Sequence, residues 1–332
     1  MTHTAESVTF AHPDKVCDQI SDAILDACLA QDSLSRVAVE TVGGHGMITL
    51  TGEVTTRADV DMGAIALKTY RSCGYGDSIG VTVNVAKQSP EIAHGVDLDG
   101  AGDQGIMIGY ATDETPEMLP LEFALARRLT RAMGAHDGKA QVTVQDGEVV
   151  RLVTSVCGAD AATDAALEES VQKEIAPHVL GGADEVVWRW MRNPNGAWTV
   201  GGFEADSGVT GRKIVADAYG PRVAVGGGAF SGKDATKVDR SAAYMARKIA
   251  VDYVRRGAKT CLVRLAYAIG CAEPVMALAT VDGKDVVIHG YDLRPRAIIE
   301  QLDLRSPRFL QTARLGHFGN GFPWDKKFST IL

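Results

Sequence analysis

Long apolar runs are missing from this 332-residue sequence. No stretch approaches the roughly 20 apolar residues that a membrane-crossing helix requires, which argues against a membrane protein. The opening MTHTAESVTFAHPDK has neither the basic patch nor the apolar segment of a secretory leader, and the expectation is a cytoplasmic protein. Basic charge is also short. Lys and Arg number 34 against 42 Asp and Glu, a formal net charge of −8. Nucleic-acid binding needs a basic face that releases phosphate counterions, so no nucleic-acid partner is expected. Any anionic ligand must be held by a local cluster of cations working against the overall field. Cysteine pairing is the third absence: Cys17, Cys28, Cys73, Cys157, Cys261 and Cys271 form no Cys-x-x-Cys motif. Several fall in apolar periodic segments and read as small buried thiols rather than metal ligands or nucleophiles.

What is present is an ordinary globular composition, 45% hydrophobic and 23% charged, in a chain long enough for two or three domains. HPDKVCDQISDAILDACLAQD predicts a helix with Pro13 in its first turn and Val16, Ile20, Ile24 and Ala27 on one stripe. Similar stripes run over 62–70, 123–133, 165–175, 242–254 and 297–302. Between them, QVTVQDGEVVRLVTSV and VMALATVDGKDVVIHG carry Asp-Gly between strand-like arms, a hairpin signal, and RVAVETVGGHGMITLTGEVTT has the same form. SIGVTVNVAK, VVWRWM and TCLVRLAYAIG read as further strands. Three units of hairpin, helix and extra strand predict an α+β protein with mainly antiparallel sheets.

VAVGGGAFSGKDATKVDRS nearly spells the phosphate-binding pattern G-x-x-x-x-G-K-[ST]. Gly227, Gly232 and Lys233 keep the spacing, but Asp234 replaces the magnesium-binding hydroxyl. Lys233 and Lys237 beside the glycines Gly226 to Gly228 suit a polyphosphate, and Asp239 suits its magnesium. Taken alone, the same loop reads as a solvated helix cap. Elsewhere, His12 and Asp14 open a helix, where amides favour anions. Arg212 and Lys213 flank Gly211 with Asp206 nearby, and Asp137 and Lys139 precede a strand. Glu40 and Glu53 sit in the first hairpin among apolar neighbours that suggest partial burial. Asp103 stands in the flexible GAGDQG loop. Five cations and several carboxylates at glycine-flanked turns point to an enzyme handling a nucleoside triphosphate with magnesium.

The segments ESVTFAHPDKVCDQISDAILDA, KQSPEI, GAGDQGIMIGYATDET, GVTGRKIVADAYG, GGGAFSGKDATKVDRSAAYMAR, YAIGCAEP, YDLRP and GHFG resemble, in order, the S-adenosylmethionine synthetase family. The likeness covers nearly the whole chain. It implies three similar sandwich-like domains with pseudo-threefold symmetry, each a sheet covered by helices: 1–92, 99–200 and 201–332, with segments interleaved. It also implies a homodimer with active sites between the subunits, with pairing into a tetramer left open. The implied reaction is attack of the sulfur of L-methionine on the ribose C5′ of ATP, expelling tripolyphosphate that is then hydrolysed. A neutral thioether needs no base, so alignment and charge stabilisation must carry catalysis.

By the same resemblance Asp14 and Asp239 correspond to ligands of two Mg2+ ions, and Glu40 to a K+ carboxylate. Lys139, Arg212, Lys213, Lys233 and Lys237 correspond to a polyphosphate clamp, with His12 near the ribose and leaving oxygen. Glu53, Gln88 and Asp206, with Lys237, correspond to methionine contacts, Asp137 to a ribose contact, and Asp103 to a carboxylate facing the sulfonium. Three features depart from the family. Ala197-Trp198 replaces Arg-Phe, leaving Trp198 to stack on adenine. The stretch before Asp137 is short and lacks Arg-Pro. The loop from Gln88 to Gly100 is shortened and carries Ala93-His94, which predicts a more open pocket. A P-loop ATPase is disfavoured by Asp234 and the hairpin-rich order, and a non-catalytic subunit by the retained carboxylates and cations.

Overall fold

The protein is described by a computed structural model covering residues 1–76, 78–87 and 100–326. Among the described residues, twelve strands build three four-stranded sheets. They are β1 (Thr2–Val8), β2 (Arg36–Gly44), β3 (Met47–Thr55), β4 (Gly80–Ala86), β5 (Gly105–Thr112), β6 (Gly138–Gln145), β7 (Glu148–Val156), β8 (Trp190–Arg192), β9 (Gly208–Val209), β10 (Thr260–Tyr267), β11 (Met276–Val281) and β12 (Lys284–Val287). The sheet orders are β4-β3-β2-β9, β1-β6-β7-β8 and β12-β11-β10-β5. Each sheet takes one end strand from a distant part of the chain. β1 joins the second sheet, β5 the third and β9 the first, so the exchange is cyclic. Pairing is antiparallel except for β3 with β4 and β7 with β8.

The expected hairpins form where the turn residues can enter the left-handed region. His45-Gly46, Asp146-Gly147 and Asp282-Gly283 have φ of 46 and 81, 51 and 88, and 47 and 80 degrees. Two successive positive φ values match the twist of the flanking strands, which is why Gly takes the second position in all three.

Helices α1 (Pro13–Gln31), α2 (Met62–Ser72), α3 (Leu121–Ala132), α4 (Ala161–Ser170), α5 (Ala183–Arg189), α6 (Ile214–Asp217), α7 (Val238–Arg255), α8 (Pro295–Gln301) and α9 (Phe309–Leu315) cover the sheets. One core joins α1, α7 and the first and third sheets through Ile20, Ile24, Leu50, Tyr244 and Trp324. A second lies between α3 and the second sheet, with Leu125, Leu129, Val142 and Leu152. Cys17, Cys28, Cys73 and Cys261 are buried thiols. Among the described residues no helix is long and apolar enough to cross a membrane. One expectation fails. VVWRWM is not a strand: its first four residues end α5 and only Trp190 to Arg192 pair, with β7. Gly181 and Gly182, at φ of 87 and 68 degrees, turn the chain before α5, and Asp184 and Glu185 in its first turn suit the positive end of a helix.

The two central helices are bound by ions as well as by apolar contact. Arg240 of α7 grips Asp22 of α1 with two bonds of 2.7 Å, both side chains fully buried. Burial lifts the Asp22 carboxyl above the usual range, against the pull of Arg240. Arg240→Ala would leave that carboxylate without its guanidinium, and stability should fall by about 3–5 kcal/mol, read from urea unfolding midpoints. The sign with pH follows from the raised carboxyl. Its ionisation penalty is absent below the unfolded pKa of about 4 and grows as pH rises through that value. The gap between wild type and variant should therefore be smallest near pH 4 and widen towards neutrality.

Candidate active site

His12 caps α1. Its Nδ1 accepts the Asp14 amide at 3.2 Å, which leaves Nε2 to carry the proton of the neutral ring. Burial, then Lys213, Lys139 and Lys15, lower its pKa to about 3, with Asp14 opposing. The imidazole is therefore a neutral N–H donor among cations. Asp14 is buried behind it and accepts from the Val209 amide at 2.9 Å and from Lys213 Nζ at 2.5 Å, and it is ion-paired with Arg212, whose Nε lies 3.1 Å away. Burial works to raise the Asp14 carboxyl, but Lys213 and the Val209 amide outweigh it and hold the group below its ordinary range. Gly208 makes this approach possible, since an added Cβ would lie 2.2 Å from the Pro13 carbonyl oxygen.

A cleft of about 430 Å³ opens against His12, lined also by Asp137, Lys139, Asn195, Trp198 and Asp206. The volume is in the range of small-molecule sites. Lys139 enters from β6, where it pairs with Val8 and Ser155 of the flanking strands. Asp137 is buried, and one of its oxygens accepts the Gly202 amide at 2.9 Å. Burial raises its carboxyl against that amide and Lys139. Trp198 is half-buried and bridges to Cys157, and Asp206 is exposed at the edge.

The glycine-lysine loop forms a second cluster. Lys233 Nζ meets Asp239 Oδ2 at 2.6 Å, and Lys237 Nζ meets Asp234 Oδ1 at 2.5 Å. The glycines are there for packing. An added Cβ on Gly226 would lie 1.7 Å from the Ile106 carbonyl oxygen, and one on Gly228 would lie 2.2 Å from Asp239 Oδ1. Asp234, which breaks the P-loop pattern, is a structural tie: it accepts the amides of Val37 at 2.8 Å and Thr236 at 2.9 Å and is 2% exposed. No strand precedes the loop, so it lacks the strand–loop–helix setting of a P-loop. Asp239 is not the cap of α7; Lys237 takes that position and Asp239 lies in the first turn. The two clusters adjoin at Gly211, whose added Cβ would meet Ala229 Cβ at 2.6 Å.

Glu40 and Glu53 are exposed, against expectation. On β2 the side chains of Val37, Val39 and Thr41 point into the core, so period-two alternation turns Glu40 outward. Glu53 shares that outward direction on β3. Asp103 is exposed two residues before Gly105, whose added Cβ would lie 3.5 Å from Asp239 Oδ1. Gln88 and the 88–99 loop, with Ala93 and His94, lie outside the described residues. Four of the expected cations are ion-paired: Arg212 and Lys213 hold Asp14, Lys233 holds Asp239, and Lys237 holds Asp234. Sequence reasoning passed over Asn193 and Asn195 in the cleft, which the turn residues of NPNG could have indicated. It also passed over Lys15 of HPDK, which binds Asp18 at 2.9 Å and Asp217 at 2.5 Å.

Profiles of three protein domains match the chain in succession: S-adenosylmethionine synthetase N-terminal domain over 1–93, central domain over 98–198 and C-terminal domain over 200–326. The chain belongs to the S-adenosylmethionine synthetase family. It is 44% identical over 377 positions to an S-adenosylmethionine synthase of Desulforudis audaxviator, covering 97% of this chain and 95% of the relative. A Parafrankia protein of the same name is 43% identical (97% and 95% covered), as is one from Salinispora tropica (96% and 94%). The 377 aligned positions exceed the 332 residues of this chain, so the Desulforudis relative carries stretches that it lacks.

The fit of metal ions to this family member rests on its carboxylates. Among the described residues no three of His, Cys, Asp or Glu converge as a metal cage. Single carboxylates such as Asp14 and Asp239 nevertheless suit Mg2+, which takes its other ligands from phosphate oxygens and water. Gly228→Ala should push Asp239 off Lys233 and weaken magnesium tripolyphosphate binding by about tenfold or more, measured by calorimetry, with the fold unchanged by circular dichroism.

Proposed function

We propose that this protein makes S-adenosylmethionine from ATP and L-methionine by sulfur attack on the ribose C5′, and hydrolyses the expelled tripolyphosphate to pyrophosphate and phosphate. The observation that carries the reading is the neutral, buried His12 placed beside the Asp14–Arg212–Lys213 cluster at the mouth of a nucleotide-sized cleft. A charged imidazole there would only add to the clamp. A neutral one can donate its Nε2 proton to the oxygen that gathers charge as the C5′–O bond breaks.

In this reading Trp198 receives the adenine face and Asp137 the ribose hydroxyls. Lys139, Arg212 and Lys213 hold the phosphate chain from the His12 side, Lys233 and Lys237 from the other loop. Asp14 and Asp239 would hold two Mg2+ ions, which neutralise phosphate charge when bound, and Glu40 a K+ ion. Asp103 faces the sulfonium. Glu53, Gln88, Asp206 and Lys237 bind methionine, whose thioether is nucleophilic without a base, so the residues align and stabilise rather than activate.

Glu40, Glu53 and Asp103 are exposed in one chain, and the outward row that carries Glu40 and Val42 on β2 and Met47 and Glu53 on β3 is exposed among the described residues. That supports a homodimer in which the partner closes the site, with further pairing to a tetramer open. The three domains would be 1–92, 99–200 and 201–332, with β1, β5 and β9 exchanged, in a cytoplasmic enzyme without nucleic-acid or membrane partners.

The test is incubation with ATP, Mg2+, K+ and methionine, followed by detection of the sulfonium product by mass spectrometry. ATP hydrolysis that ignores methionine would overturn the reading. Lys233→Ala and Lys237→Ala should each lower kcat by about 10²-fold while changing KM for methionine far less, because their charge matters most as the leaving group forms. Unchanged kcat in both would remove the clamp assignment.

A further inference from the structure

A second cavity, of about 240 Å³, opens beside the segment that leads into His12. Its wall includes Phe10, Lys15, Arg127, Arg131, Asp217 and Arg314, none of which is assigned to ATP, methionine or metal above. Arg127 is only 7% exposed, yet its guanidinium bonds to neutral oxygens: the carbonyls of Phe318 at 2.7 Å and Leu315 at 2.9 Å, and Asn320 Oδ1 at 3.0 Å. Arg131, one turn along α3, donates to the same Asn320 Oδ1 and reaches the same Leu315 carbonyl at 3.5 Å. Two guanidiniums thus converge on one pair of uncharged acceptors. Arg314 lies over the Phe10 ring, 4.2 Å from its centre, and is otherwise exposed.

The carboxylates nearby are engaged elsewhere. Asp217 is bound by Lys15 at 2.5 Å, Glu117 by Arg128 at 2.9 Å and Asp325 by Arg247 at 3.0 Å. Burial, then the like charge of Arg131, bring Arg127 down to about 9, against an ordinary value above 12. The arrangement carries a cost, because no carboxylate among the described residues bonds either guanidinium, and the pull of Asp325 and Glu117 offsets only part of the burial and like charge at Arg127. An oxyanion between them would remove that cost, and guanidinium forks one helical turn apart match the paired oxygens of a phosphate.

We propose that this cavity binds a phosphate-type oxyanion through Arg127, Arg131 and Arg314. The site is separate from the ATP cleft and does not depend on the activity proposed above. It does adjoin it in sequence, since Asp217 ends the short helix that follows Lys213 and its amide bonds the Lys213 carbonyl at 2.8 Å.

The probe is inorganic phosphate, titrated by calorimetry at constant ionic strength in chloride into the full-length protein. Three forms are compared: wild type, the double variant Arg131→Ala with Arg314→Ala, and Lys233→Ala. The first two substitutions fall on exposed side chains, so the core is kept, which thermal melting without phosphate verifies. Phosphate affinity should fall by about tenfold or more in the double variant and persist in Lys233→Ala, which impairs only the proposed active site. Absence of binding to wild type, or binding retained in full by the double variant, overturns the proposal.

Discussion

The buried bond between Asp22 and Arg240 is the constraint on which the candidate site depends. Asp22 Oδ1 also accepts the Gly232 amide at 2.8 Å, and Arg240 Nη1 also donates to the Lys233 carbonyl at 3.0 Å. One ion pair therefore locks α1 to α7 and pins both ends of the Gly232–Lys233 segment. A hydrophobic replacement could hold the helices as well, because desolvating two charges offsets much of their attraction. What it could not do is fix the loop's backbone in register with β2, where the Val39 amide bonds the Gly232 carbonyl at 3.0 Å. The ion pair supplies orientation more than stability.

From that frame the electrostatics follow. Four of the five cations are bonded to carboxylates, two of which are the candidate magnesium ligands Asp14 and Asp239. The carboxylates hold the cationic side chains in place and aim them. A magnesium-bound polyphosphate brings both signs at once, so each pair can exchange partners without leaving a bare charge at any stage. The site is preorganised by its own neutrality, and His12, neutral through burial and surrounding lysines, completes it as a donor rather than a further cation.

Much of this was legible in the sequence where the cause is local. The three hairpins form at the turns expected, because two positive φ values in succession demand glycine at the second place. Pro13 opens the helix that begins at HPDK, and the glycine-rich loop precedes a helix as expected. The errors lie where non-local geometry decides. VVWRWM has strand propensity, yet paired glycines and acidic residues ahead of it begin a helix. Glu40 and Glu53 have apolar sequence neighbours, but alternation places them on the face that this chain leaves open. Asp234 looked like a damaged motif because its partner, the Val37 amide, is nearly two hundred residues away in sequence. Asp22 with Arg240, and Lys15 with Asp217, are equally remote, and no short-range pattern announces them.

The same distinction explains why the cyclic exchange of β1, β5 and β9 matters for chemistry. β1 leads from the second sheet directly into His12, and β6 beside it carries Lys139, so that pairing alone brings the neutral imidazole and the proposed clamp lysine together. β9 leads from the first sheet into Arg212 and Lys213, and β5 follows Asp103 into the third sheet against α7. Each exchanged strand thus delivers one group of charged residues across a boundary between sheets. Had every unit kept its own strands, the cations would be distributed over three separate surfaces. Because the strands cross, a highly charged site can be assembled on sheet edges in a protein whose overall charge is negative.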